Sequence, residues 1–221
     1  MTRELFDEQL ARLDTELLRM GALVEQVLAG AMRALESGDV TLAIQIATSD
    51  EQINQKEREI EALCLDLLLR QQPVARDLRR ISAALKMITD IERIGDQAAD
   101  ICRIVLDMEQ TLAEPLMRVR HLIALGEAAN SQVSAAIDSF VAHDLEQAQV
   151  VIADDDTVDS LFSVVKGELF TWMRSMDEDQ GIAIDLLLIA KYFERIGDHA
   201  QNIAEWVEYS ITGMHKGALI T

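Results

Sequence analysis

The chain has 221 residues, of which 49% are hydrophobic and 27% charged, a composition that suits a folded core with a solvated surface. Its formal net charge of −19 argues against binding to nucleic acids or anionic lipid headgroups, because both are themselves negatively charged. Aromatic residues make up only 4%, and no Val/Thr/Tyr-rich alternating run indicates a strand, so an all-α fold is expected.

Six long helices are predicted, in two sets of three. Breaks at Ser37-Gly38-Asp39 and Pro73 divide the first half, and breaks at Pro115 and Ala142-His143-Asp144 mark the second. Gly213 and Gly217 indicate a loose tail. The six helices cover approximately residues 3–36, 39–71, 75–108, 115–141, 144–175 and 180–211. We therefore expect a tandem pair of antiparallel three-helix bundles, with domains at 1–110 and 111–221.

The chain contains an internal repeat. The segment from Ile91 to Val105 returns 102 residues later as the segment from Phe193 to Val207, with eight of fifteen positions identical. Upstream, six residues recur 105 positions later, namely Leu17, Gly21, Ala31, Asp39, Ala43 and Asp50. The second copy is therefore three residues shorter, and the turn at Met176–Gly181 is the expected place. A match of this extent predicts two halves built on one plan.

The repeated segment carries a row of acids at helical spacing. Six apolar residues share one face of the third helix and predict its core side: Met87, Ile91, Ile94, Ala98, Ile101 and Val105. Glu92, Asp96 and Asp100 fall on the opposite face, one turn apart. The sixth helix repeats this row as Glu194, Asp198 and Asn202. The sequence therefore predicts an outward acidic stripe in each half.

A cation would relieve the repulsion between like charges stacked one turn apart. The second helix adds Asp50, Asn54, Glu57 and Glu61, and the fifth adds Asp155 and Asp159. Such oxygen donors suit magnesium, manganese, calcium or iron better than a Cys/His zinc site, although zinc stays a candidate. The sequence favours metal binding, and the alternative is an acidic surface that is merely solvated.

Pseudo-twofold symmetry suggests how the acids are grouped. One cluster would contain Glu92, Asp96, Asp100, Asp155 and Asp159, and the other Glu194, Asp198, Asn202, Asp50 and Asn54. Grouping within each half is also open. Arg93 and Arg195 are expected to pair with neighbouring acids, and His199, which occurs in one copy only, is expected to be a surface residue.

Glycines and cysteines add further expectations. Gly21 and Gly126, matched by the repeat, are interpreted as close helix crossings, because glycine otherwise weakens a helix. For Gly95 and Gly197, a crossing and room for a ligand are both open. Cys64 and Cys102 stand among apolar residues at helical spacing, so two buried free thiols and a cytoplasmic location are expected. The apolar runs are too short to span a bilayer.

With two copies of Glu-Arg-Ile-Gly-Asp in a six-helix repeat, the chain resembles the PhoU family over residues 3–212. Supporting segments begin at Asp50, Gln72 and Asp155. The resemblance implies paired three-helix bundles that bind surface metal clusters through Glu92, Asp96, Glu194 and Asp198. It also implies a cytoplasmic regulator that links a phosphate-specific ABC transporter to a membrane sensor histidine kinase and represses phosphate-starvation genes. A homodimer is plausible for this family.

Two other functions are alternatives to this interpretation. Di-iron carboxylate enzymes use Glu-x-x-His pairs that project into a helical bundle, and this chain lacks that pair. A metal-free helical scaffold is the other alternative. The resemblance therefore implies a regulator, and the sequence offers no candidate catalytic residues for it.

Overall fold

The structure is a computed structural model that describes residues 3–70, 73–108, 112–175 and 180–219. The side chains of Arg3, Asp50, Arg70 and Asp155 lie outside this description. Within these ranges the chain forms helices α1 Arg3–Ser37, α2 Val40–Ala47, α3 Asp50–Arg70, α4 Ala75–Asp107, α5 Ala113–Arg118, α6 Leu122–Ala142, α7 Leu145–Ala153, α8 Asp155–Ser175 and α9 Gly181–Thr212. A hairpin of β1 Met214–His215 and β2 Ala218–Leu219 follows.

The all-α prediction is confirmed, but three of the six predicted helices are divided. The second becomes α2 and α3, the fourth becomes α5 and α6, and the fifth becomes α7 and α8. Hydroxyl groups explain one break, since Thr48 donates to the carbonyl of Ile44 at 2.9 Å and Ser49 to that of Ile46 at 2.8 Å. Such bonds compete with the helical ladder and bend or end the helix.

The two repeats use the same capping residue at the same place. Asp39 accepts a hydrogen bond from the backbone N–H of Leu42, and Asp144 accepts one from that of Gln147, both at 3.0 Å. Each carboxylate satisfies an amide at the start of a short helix, α2 or α7. The preceding residue has left-handed backbone in both copies, Gly38 with φ 65° and His143 with φ 51°.

The helices with the repeated motif, α4 and α9, form the most extensive helix contact in the described chain. In addition, α1 packs against α4 and α6, and α6 packs against α9. One continuous set of buried apolar side chains runs through both repeats, including the six residues predicted for the inner face of α4. The repeats therefore share a core. The predicted boundary at 110/111 lies outside the described residues.

The glycines matched by the repeat mark close helix crossings. A Cβ at Gly95 would lie 2.5 Å from Ile53 on α3, and one at Gly197 would lie 3.0 Å from Val158 on α8. Ile53 and Val158 are themselves repeat mates, 105 residues apart. At these two positions the crossing interpretation is therefore correct, and the space above the glycine is filled by the neighbouring helix.

The predicted loose tail is instead a hairpin that packs on α9. Its turn residues Lys216 and Gly217 both have positive φ, as a two-residue hairpin turn requires. The ring of His215 stacks on Trp206 with centroids 3.9 Å apart. Stacking on an aromatic side chain holds the segment in place. None of the helices in the described ranges combines the length and apolarity needed to cross a bilayer.

Candidate metal centre

The acidic rows lie at the edges of helix contacts and do not point straight outward. The Glu92 and Glu194 side chains are only 15% and 13% exposed, whereas Asp198 is exposed. The helical wheel placed these acids correctly on the face opposite the apolar stripe. It could not show that α3 and α8 cover the edge of that face, because this depends on neighbouring helices.

In the first repeat the acids of α4 meet polar side chains of α3. Burial, followed by the negative charges of Asp96 and Glu57, raises the pKa of Glu92. Asn54 Oδ1, one turn before Glu57 on α3, is buried and has no hydrogen-bond donor in the described structure. Thr89 donates to Glu57 Oε1 at 3.3 Å. We name Asn54, Glu57, Glu92 and Asp96 the first carboxylate cluster.

The chemistry of this cluster fits a hard cation. All of its side chains offer oxygen, one oxygen is buried without a donor, and its carboxylates repel one another. Among the described side chains, no three acids, histidines or cysteines are already close enough to hold an ion. Asn54, Glu57, Glu92 and Asp96 would therefore have to draw together to coordinate one. The metal would supply positive charge that these carboxylates lack.

The second repeat presents a different surface at the matching positions. Phe162 replaces Glu57, and Lys191 replaces Thr89. The Lys191 ammonium lies 5.5 Å from the centre of the Phe162 ring and forms an ion pair with Glu194. Lys166, which replaces Glu61, lies 4.6 Å from the same ring. Two lysines therefore supply positive charge where the first repeat has only acids and a hydroxyl.

The third residue of each row contacts the other repeat. Asp100 forms a hydrogen bond with Tyr192 of the other repeat. Burial raises the pKa of the Tyr192 phenol most, and the negative charge of Asp100 and this hydrogen bond raise it further. In the related contact, Asn202 donates to Asp90 at 3.4 Å. Exchanging the repeats converts one pair into the other, so α4 and α9 are related by a pseudo-twofold axis. Asp100 and Asn202, both predicted as ligands, thus each contact a residue of the opposite repeat.

The remaining predicted residues lie on α3 and α8. Asp50 and Asp155 begin these helices, but their side chains lie outside the described residues, and Asp159 is exposed. Because α3 packs against α4 and α8 against α9, the packing favours clusters within each repeat over the predicted exchange between repeats. Sequence reasoning left Glu57 out of the grouped ligands and missed Thr89. An alignment of the two copies shows both positions as differences, because Phe162 matches Glu57 and Lys191 matches Thr89.

Arg93 and the cysteines agree with their predictions. The Arg93 guanidinium lies 3.6 Å from Glu92 and 3.8 Å from Asp96. Because the guanidinium is more than half exposed and lies at these long distances, solvent screens it and it only partly offsets the acidic charge. Cys64 and Cys102 are both buried and free, and burial raises the pKa of each thiol to about 12.

His199 is not the predicted surface residue, since it is largely buried against α4.

A cavity of about 720 Å³ lies at the end of the molecule near the start of α4. It is lined by Arg76 and Arg80 but also by Asp7 and Asp77, so its charges balance. Burial, Arg80 and Arg76 lower the pKa of His143, which also lines it. The cavity thus shows no preference for a charged ligand, unlike the acidic clusters.

Known proteins resemble this chain over almost its whole length. The PhoU domain family matches residues 17–105 and 122–207. A phosphate-specific transport system accessory protein PhoU homolog from Clostridium acetobutylicum is 36% identical, covering 96% of this chain and 97% of the relative.

Two solved structures share the fold. The crystal structure of PhoU from Pseudomonas aeruginosa has a TM-score of 0.86 and 36% identity, covering 95% of this chain and 100% of that one. The phosphate transport system regulatory protein PhoU from Streptococcus pneumoniae also has a TM-score of 0.86, with 29% identity and coverage of 98% and 99%. Two matched domains, the doubled motif helix and this likeness establish that the chain belongs to the PhoU domain family.

Proposed function

We propose that the protein is a metal-binding accessory regulator of phosphate uptake. It has no catalytic turnover of its own. Relatives along the full length are named accessory proteins of a phosphate-specific transport system, which supports the phosphate role.

The first carboxylate cluster carries the metal part of the proposal. Glu92 is largely buried beside Asp96 and Glu57, and its raised pKa reflects the cost of that placement. A solvated surface would not need acids packed at a helix contact, nor a buried amide oxygen without a donor on the helix that covers them. A bound cation, with iron, manganese, magnesium and zinc as candidates, would remove both penalties.

The names of the relatives support a partner in the phosphate-specific transport system. We propose that the protein acts at the cytoplasmic face of a phosphate-specific ABC transporter and couples it to a membrane sensor histidine kinase. In phosphate-rich cells this coupling represses phosphate-starvation genes. A homodimer is proposed as the working form. The net charge of −19 favours basic protein surfaces as partners and disfavours nucleic acids.

Metal content tests the first part. The purified protein and its Asp96→Ala and Asp198→Ala variants are reloaded with metal and then desalted. Elemental analysis compares their metal content. Asp96→Ala should lose most of the bound metal, and Asp198→Ala should lose less because Lys191 already neutralises Glu194. Glu51→Ala is the matched control, since Glu51 is an exposed acid of α3 paired with Arg58. No metal in any protein after reloading would leave the metal-free scaffold as the better interpretation.

The regulatory part has its own test. Deleting the gene should raise expression of phosphate-uptake genes during growth in ample phosphate, and the wild-type gene should reverse this. Complementation with Asp96→Ala then separates the roles. Restored repression by this variant would show that metal is not required for regulation. Unchanged expression in the deletion strain would contradict the regulatory proposal.

A further inference from the structure

Gly167 is the exception among the glycines inside the described helices. At Gly21, Gly30, Gly95, Gly126 and Gly197 an added Cβ would approach a neighbouring side chain to between 2.5 and 3.0 Å. At Gly167 it would meet no atom within 4 Å. Glycine inside a helix costs about 1 kcal/mol relative to alanine, and close packing does not explain it here. The matching residue in the first repeat is Ala62.

The open space at Gly167 belongs to a cleft of about 670 Å³ between α8 and the segment that joins α5 to α6. This volume lies in the range of small-molecule sites. Trp172, half-buried on α8, lines the cleft, and so do the hydroxyl residues Thr171 and Ser175. An absent side chain beside an indole leaves room for a planar group.

The charged side chains that line this cleft in the described part of the chain are mostly basic, whereas the whole chain is acidic. Glu168, the one acid among the described lining residues, is occupied by His121, whose ring nitrogen lies 2.7 Å from Oε1 and whose backbone N–H donates to Oε2 at 3.2 Å. Arg118 and Arg120 also line the cleft. Arg118 forms only an exposed pair with Glu114, and Arg120 has no hydrogen bond or ion pair within the described ranges. The arginines are therefore available to an anion.

We propose that this cleft binds a nucleoside phosphate, with the base against Trp172 above Gly167 and the phosphate against Arg118 and Arg120. A nucleoside phosphate combines the two features that the cleft offers, an aromatic surface and paired guanidinium donors. The inference does not rest on the proposed function or on metal binding. None of these residues belongs to the first carboxylate cluster or to the acidic row of the second repeat.

Fluorescence provides a direct test. Trp172 and Trp206 are the chain's two tryptophans, so Trp206→Phe leaves Trp172 as the sole reporter. This variant is titrated with AMP, ATP, adenosine and inorganic phosphate at constant ionic strength, with EDTA to remove metal. AMP and ATP should change the emission saturably, and adenosine and phosphate should each require at least roughly tenfold higher concentrations, since each keeps one of the two contacts. No saturable change with AMP or ATP, or equal binding of adenosine or phosphate, would overturn the proposal.

Two substitutions in this reporter background locate the site. Gly167→Leu fills the open space with a good helix former, so the melting temperature should not fall while nucleotide affinity drops at least roughly tenfold. Arg120→Ala should also weaken AMP binding roughly tenfold, because it removes a charge-assisted hydrogen bond to the phosphate. Arg12→Ala, at an exposed arginine of α1, is the matched control and should bind normally. Unchanged affinity in both Gly167→Leu and Arg120→Ala would overturn the proposed site.

Discussion

His199 Nδ1 lies 2.8 Å from Asp90 Oδ1, so a hydrogen bond joins the motif helices of the two repeats. Each side chain is only 17% exposed, and Asn202 donates to the same carboxylate oxygen. His199 replaces Gln97 of the first repeat, and Asp90 corresponds to Tyr192. The hydrogen bond between His199 and Asp90 is therefore specific to one side of the α4–α9 interface.

Removing this acceptor should destabilise the protein. Asp90→Ala leaves His199 and Asn202 without their shared partner at a largely buried site, which should cost about 1–3 kcal/mol. Asp107→Ala on the same helix is the control, because Asp107 is exposed at the C-terminal end of α4, where an acid is unfavourable. Urea denaturation measures both. Equal stability of the two variants would mean that the contact contributes nothing.

Stability should depend on pH through His143. Burial, with the charges of Arg80 and Arg76, lowers its pKa below 6.5, so the unfolded chain binds this proton more readily than the folded one. Above about pH 6.5 His143 is neutral in both states and its titration does not change the stability. As the pH falls below that value, protonation of the unfolded chain destabilises the folded protein. His143→Asn tolerates the left-handed backbone and removes the titrating group. The variant should lose less stability than the wild type between pH 7 and 5 in urea denaturation, and parallel curves would contradict this.

The second repeat should gain metal affinity when it is given the residues of the first. Phe162→Glu with Lys191→Thr recreates the Glu57 and Thr89 environment beside Glu194 and Asp198. Metal content should rise, because an acid is added and the lysine paired with Glu194 is removed. Elemental analysis is the measurement, and Glu57→Phe is the reciprocal variant that should lower it. A double variant with unchanged content would exclude this account of the asymmetry.

The matched caps should contribute similar stability. Asp39→Ala and Asp144→Ala each remove the acceptor for an otherwise unpaired amide, at a cost of about 1 kcal/mol. Asp→Asn at either position should retain most of the stability, since the asparagine oxygen also caps. Thermal denaturation of the four variants compares the repeats. If both alanine variants matched the wild type, the caps would be dispensable.

Periodicity predicted much of the fold. The core face of α4, the breaks before Asp39 and Asp144 and the burial of both cysteines follow from apolar spacing and capping residues. The break at Thr48 and Ser49 was missed because apolar spacing continues through it. The hairpin was missed because it depends on the ring of His215 stacking on Trp206, a tertiary contact that apolar spacing does not reveal.

The candidate site was predicted less completely than the fold. Spacing placed Glu92 and Asp96 on one helix face, but it could not show which helix covers that face. The contact with Glu57 therefore came only from the packing of α3 on α4. The same limit explains Asp100 and Asn202, which continue the row in sequence yet reach across to the other repeat.

The pseudo-twofold packing of α4 against α9 gives the chain the interior of an isologous dimer within a single polypeptide. In a dimer of separate identical repeats, every substitution would appear on both sides at once. Joining the repeats removes that constraint. Glu57 can thus remain an acid while its mate is Phe162, and Asp90 can bind His199 while its mate Tyr192 binds Asp100. Covalent linkage allows one symmetric framework to carry two chemically different faces.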